Sequence, residues 1–239
     1  MKIIKRSRLT IFTDIFLVVV FTAVFAVSFF PDRIVPIYSG ENLSAIYNGK
    51  KDKPNVSLMF NVYENTEIVE NIVELLNERN VRATFFVGGC WADDNSETLK
   101  HIVSGGHEIG NHGYFHKDHK TLDYNKNKEE IYTTELITYA LCGVKTRLFA
   151  PPSGSFGADT LSVADDLGYK VIMWSKDTID WRDNDVELVF KRATANLSNG
   201  DLVLMHPKKH TLEALGDILD YYESKGFSAV TVGENIGDI

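Results

Sequence analysis

The stretch Gly106-His107-Glu108-Ile109-Gly110-Asn111-His112-Gly113-Tyr114-Phe115-His116 sets two imidazoles four residues apart, directly after a short segment that reads as a buried strand. At that spacing both rings can lie on one side of a helical turn, with their nitrogens in reach of a single zinc-sized ion. A His-x-x-x-His pair alone says little, because most such pairs are incidental. Its surroundings say more. Short apolar runs at 57–61, 83–87, 108–111, 146–150, 170–174, 202–205 and 229–232 alternate with segments of helical period, the pattern of a parallel sheet with crossover helices. Ile68, Ile72, Leu75 and Leu76 form one apolar stripe, and Leu99, Ile102 and Val103 form another that stops at Gly105-Gly106. Further helices are expected over 128–141, 159–167, 186–197 and 211–224. Seven strands with intervening helices suit a closed, somewhat distorted barrel.

With 239 residues and 44% hydrophobic content, the chain can bury one sizeable core. Its formal net charge of −8 makes it a poor partner for nucleic acid. Residues 9–30 carry one charge, Asp14, and Lys2, Lys5, Arg6 and Arg8 stand before them. That span is long enough to cross a bilayer, and the basic flank places the N-terminus inside the cell. Ala26-Val27-Ser28 also offers small residues for signal cleavage. Either reading, a retained membrane anchor or a removed signal segment, puts the remainder outside the membrane. The expected organisation is a cytoplasmic basic tail at 1–8, the anchor or signal at 9–30, a tether at 31–53 and one domain at 54–239. Cys90 and Cys142 are too few for a disulfide framework; they suit two free, buried thiols or a single bridge.

Six phrases occur in order through that domain: Val56-Ser57-Leu58-Met59-Phe60-Asn61, Ala83-Thr84-Phe85-Phe86-Val87, the histidine pair, Leu148-Phe149-Ala150-Pro151-Pro152-Ser153-Gly154, Asp177-Thr178-Ile179-Asp180-Trp181 and Leu204-Met205-His206-Pro207. Together they resemble the polysaccharide deacetylases of carbohydrate esterase family 4, and most closely the sporulation-associated branch. The resemblance runs from about residue 54 to residue 235. It implies a distorted seven-stranded (β/α) barrel of that family's type, with its chemistry at the C-terminal ends of the strands. Removing an N-acetyl group needs an activated water, a centre that holds the developing oxyanion and an acid for the departing amine. By resemblance His112 and His116 would hold a divalent metal, zinc being the expected one, and His206 would be the acid. Asp180 would tune a histidine. Backbone after the Pro-Pro turn, at Pro152 and Ser153, would polarise the carbonyl, and Trp181 and Leu204 would line the acetyl pocket.

The departures are concentrated in the first phrase. Most of the family has Phe-Asp-Asp, the general base followed by the third metal ligand, where this chain has Phe60-Asn61-Val62. An amide cannot take a proton from water, and a valine cannot bind zinc. The sporulation branch often shows Asn-Val-Asp-Trp-Gly, and its aspartate falls on Tyr63. Glu64 or Glu67 could turn inward as partial replacements, though Glu67 also suits the first turn of a helix. Ala150 stands where the family has an arginine, and Arg147 would point to the opposite face of its strand. Ser153 replaces a common tyrosine.

Two functional classes follow. One is a metal-dependent hydrolase that removes N-acetyl groups from an extracellular polysaccharide such as peptidoglycan. The other is a catalytically inactive relative that binds glycan or acts as a scaffold.

Overall fold

The computed structural model describes residues 8–29 and 43–237, in two compact units that divide between Asn42 and Leu43. In the first unit, helix α1 (Arg8–Phe29) covers most of the expected anchor. Its side chains are described over 12–22 and at 25, where large apolar groups such as Phe12 and Phe21 are exposed. Among the described residues no helix is long and apolar enough to cross a membrane. The expected basic tail, apart from Arg8, and the expected tether up to residue 42 lie outside the described residues.

The second unit is built on β1 (Asn55–Val62), which is buried along nearly its whole length. Side chains of a strand alternate between faces. Here Val56, Leu58, Phe60 and Val62 enter the apolar layer beneath the helices, while Met59 belongs to a second cluster on the other face. A strand covered on both sides reads as a continuous apolar run, which is why this one is conspicuous in the sequence. Helix α2 (Thr66–Glu78) closes the layer with Val69, Ile72, Val73 and Leu76, a stripe of helical period. The chain continues through β2 (Thr84–Val87), α3 (Gly89–Asp94), α4 (Ser96–Ser104), β3 (Glu108–Asn111), α5 (Tyr124–Cys142), β4 (Leu148–Phe149), α6 (Ala158–Asp166) and β5 (Lys170–Val171). It ends with β6 (Lys176–Asp177), α7 (Val186–Thr194), β7 (Asp201–Met205), α8 (Lys209–Ser224), β8 (Ser228–Ala229) and α9 (Val232–Ile236).

All the pairings are parallel, in the order β5-β4-β3-β2-β1-β7-β6. Strand β8 lies alongside the start of β1, pairing Asn55 with Ser228 and Val56 with Ala229, below the point where β2 joins at Met59. The expected closed barrel is therefore corrected to a curled sheet that stays open between β5 and β6. Its interior is filled by Met59, Phe86, Leu148, Ile172, Leu202 and Leu204.

Three boundaries differ from the sequence reading. The segment 43–53, expected as tether, belongs to the domain: Ile46 forms a parallel bridge with Ile172 and packs on the interior cluster. The strand expected over 170–174 ends at Val171, and a separate pair, β6, forms on β7. The strand expected over 229–232 ends at Ala229, because the Thr231 hydroxyl accepts the Glu234 N–H and starts α9. Cys90 and Cys142 are both free thiols, and Cys90 is exposed, not buried.

Gly110 on β3 shows how tightly the interior is filled. A Cβ at this position would stand 2.3 Å from Cδ1 of the buried Phe86 ring. Gly110→Ala is expected to destabilise the domain by about 1–3 kcal/mol, the usual range for overpacking. Thermal unfolding checks it as a Tm several degrees lower; an unchanged Tm would contradict this account of the interior.

Candidate active-site cleft

The C-terminal ends of β1, β3, β4, β6 and β7 deliver side chains to one cleft of about 280 Å³, lined by Asn61, Tyr63, His116, Ser153, Trp174, Asp177, Trp181, Leu204 and His206. His112 sits beneath it, fully buried. The His112 backbone N–H continues the β2–β3 ladder by donating to Val87 at 2.9 Å. Its Nδ1 lies 2.7 Å from the Ala150 carbonyl, which can only accept, so Nδ1 carries the proton and Nε2 is a bare acceptor. That Nε2 has no hydrogen-bond partner. Burial, then the neighbouring His116, hold the His112 pKa well below the usual imidazole value.

His116 is brought close, its ring centroid 5.0 Å from that of His112. The helical turn expected between the two does not form, and His116 takes a left-handed φ of 55°. The cause is Glu130, which projects from α5 and is 4% exposed. Its Oε2 accepts the N–H groups of Tyr114 and Phe115, at 2.8 and 2.7 Å, and its Oε1 pairs with Lys117 at 3.1 Å. Asn111 braces the same loop by accepting the Gly113 N–H and donating to the Ile131 carbonyl.

On the opposite wall Asp180 is fully buried and holds His206 twice. Its Oδ1 lies 2.7 Å from His206 Nδ1, and its Oδ2 accepts the His206 N–H at 2.7 Å and the Thr211 hydroxyl at 2.7 Å. Nδ1 is thereby the donor and His206 Nε2 is left for the cleft. Burial pushes the Asp180 carboxyl up, but the hydrogen bonds and charge of His206, with Thr211, outweigh it and leave its pKa below the ordinary value. Asp177 lines the cleft and accepts the Ile179 N–H at 2.8 Å. This closes a turn in which Ile179 adopts a φ of 53°, a strained conformation for a β-branched residue. The arginine absent at 150 is not supplied by Arg147, which is exposed. Instead Arg192 of α7 donates to the Thr178 carbonyl at 2.9 Å and pairs with Asp183 at 2.6 Å, bracing the loop from outside.

The expected pocket residues Trp181, Leu204 and Ser153 line the cleft, and Ser153 takes a φ of 55° in the turn Pro152–Gly154. Pro152 of the same turn is buried. Val62, at the usual position of the third metal ligand, faces away into the apolar layer. Tyr63 stands over the histidines, its ring centroid 4.1 Å from His116 and 6.3 Å from His112. Glu64 is turned outward in an ion pair with Lys208, and Asn65 donates to the Pro207 carbonyl at 2.9 Å, fastening this loop to the one that follows His206. Among the described residues no group of three His, Cys, Asp or Glu side chains stands together. Two imidazoles are present without the carboxylate, so these residues do not fit the zinc set of active deacetylases.

A family model described as polysaccharide deacetylase matches residues 48–172, and the chain belongs to that family. A protein of Bacillus subtilis, YlxY, is 36% identical over 189 residues, covering 79% of this chain and 59% of that one. A peptidoglycan-N-acetylglucosamine deacetylase of Bacillus cereus is 29% identical over 197 residues, covering 80% of this chain and 72% of that one. The solved structure of BA3943 from Bacillus anthracis, described as a CE4 family pseudoenzyme, superposes with a TM-score of 0.79 at 35% identity, covering 82% of this chain and 70% of that one. A mutant of that protein, described as having restored enzymatic activity, superposes equally well, with a TM-score of 0.79 at 33% identity, over 82% of this chain and 72% of that one.

The Asp180 geometry carries a pH dependence of definite sign. Its folded pKa lies below the unfolded value of about 3.9. The stabilisation is therefore present above that value and lost as pH falls through the folded one. Asp180→Asn is expected to destabilise by about 1–3 kcal/mol at pH 7. The gap to the parent should narrow on acidification below about pH 4 in denaturant titrations; a gap that stays constant would refute the charged role.

Proposed function

We propose that this protein is a catalytically silent polysaccharide deacetylase that binds a peptidoglycan-type amino-sugar glycan without hydrolysing it. The observation that carries the reading is the first motif. Asn61 cannot act as a base, Val62 is committed to the apolar layer, and Tyr63 places an aromatic ring where a carboxylate would have to meet His116. Removal of a general base alone lowers rates by about 10² to 10⁴. The family's N-acetylated substrates and the aromatic walls Trp174 and Trp181 support an amino-sugar ligand. The basic residues before the apolar span 9–30 support an extracellular position, by an anchor that the sequence pattern suggests or by secretion after cleavage.

A second reading, a metal-dependent deacetylase with a rearranged site, draws support from the His206–Asp180 pair, whose geometry suits a proton donor facing the cleft. Assaying the full chain for acetate release from N-acetylglucosamine oligomers, with and without added zinc, separates the two. The silent reading predicts no release above background. Asn61→Asp combined with Tyr63→Asp should bind zinc and raise release by about a hundredfold or more. Zinc-dependent release by the unmodified protein that His206→Ala abolishes would overturn the silent reading.

A further inference from the structure

Deacetylation requires a floor that attracts the carbonyl oxygen of an acetamide, and therefore needs positive charge or hydrogen-bond donors. Beneath this cleft lie two unpaired acceptors instead. His112 Nε2 is a lone-pair acceptor by virtue of the Nδ1–Ala150 bond, it is fully buried, and nothing satisfies it. Asn61, 3% exposed and part of the cleft lining, presents a second unsatisfied acceptor in Oδ1. Leaving such atoms unpaired costs free energy that a ligand bringing donors would recover.

Charge points the same way. Asp177 adds a carboxylate to the lining, and among the described residues it forms no ion pair. The two arginines of that loop region, Arg182 and Arg192, are both engaged by Asp183. Among the described residues neither lysine nor arginine lines the cleft, and Lys208 on the neighbouring loop is held by Glu64. Tyr63, Trp174 and Trp181 supply aromatic faces, which favour both the apolar side of a pyranose ring and a nearby cation. An acetamide oxygen would find hydroxyl and indole donors at Tyr63, Ser153, Trp174 and Trp181 but no lysine or arginine, whereas an ammonium would meet acceptors, a carboxylate and π faces.

We infer that the cleft recognises a hexosamine with a free ammonium group, the de-N-acetylated form of the sugar, in preference to the N-acetylated one. The inference rests on the silent reading above and refines it: the domain would read the product of its relatives' reaction. In a reaction sequence it would stand after a deacetylase that removes the acetyl group.

The test is calorimetric titration of the full chain with a glucosamine tetramer and with the matching N-acetylglucosamine tetramer, alongside the acetate-release assay. The expected result is about tenfold or greater preference for the free amine, weakened by added salt as the charge contribution is screened. Asp177→Asn keeps the acceptor for the Ile179 N–H while removing the charge, so it should fold normally and lose most of the preference. Tyr63→Ala should weaken binding of the free-amine tetramer while leaving Tm little changed. Equal binding of the two oligomers, or tighter binding of the acetylated one, would overturn the inference and leave the silent glycan-binding reading in place. Binding of neither, or acetate release by the unmodified protein, would overturn both.

Discussion

Strand β1 is hydrogen-bonded to three others, with β7 along one edge and β8 then β2 sharing the other. A strand in that position has no free backbone edge through most of its length and no exposed face, so its register is fixed from every side. Everything at the cleft inherits that constraint. The same register that buries Phe60 and Val62 presents Asn61 to the interior, and the following turn hands Tyr63 to His116. Reaching the cleft from position 62 would require the strand to release a side chain packed at zero exposure. The first motif is thus altered in its chemistry within an unaltered frame.

The two walls of the cleft are held by different means. His206 depends on one buried carboxylate that also takes a backbone N–H and a hydroxyl, so its orientation is fixed through Asp180. The histidine loop depends on Glu130, which gathers two consecutive N–H groups and a lysine. In both cases a carboxylate satisfies backbone donors of an irregular segment that has no ladder to join. Arg192 does comparable work behind the Asp177–Asp180 loop by binding the Thr178 carbonyl.

What the sequence disclosed follows from which forces leave periodic traces. Strands buried on both faces and helices with apolar stripes are visible as runs and repeats, so β1, β2, β3, β7 and helices α2 and α4 to α8 stand within a few residues of their expected places, whereas α3 and α9 have no counterpart among the expected helices. Of the two-residue strands, β4, β5 and β8 lie within or beside expected runs but with shorter or shifted limits, and β6 has no counterpart, because tertiary pairing sets such strands and they carry too few side chains for a pattern. The buried face of α5 consists of Asn127, Glu130, Ile131, Thr134 and Thr138, a stripe of the right period made mostly of polar residues. Hydrophobicity cannot register such a face, and Glu130 went unnoticed for that reason. The site positions themselves were legible through the ordered motifs. The directions in which Val62 and Tyr63 point were not, because they depend on where the strand ends.

Glu130 has a consequence for the history of such a site. In many metal centres the ion is the cross-link that keeps the ligand loop in shape, and losing the ion collapses the loop. Here the loop that carries His116 is cross-linked to α5 by protein groups, and His112 is tethered to the Ala150 carbonyl. The scaffold is therefore indifferent to whether chemistry takes place on it. These tethers do not involve Asn61 or Tyr63, so side chains at those two positions can change while the walls of the cleft stay where they are.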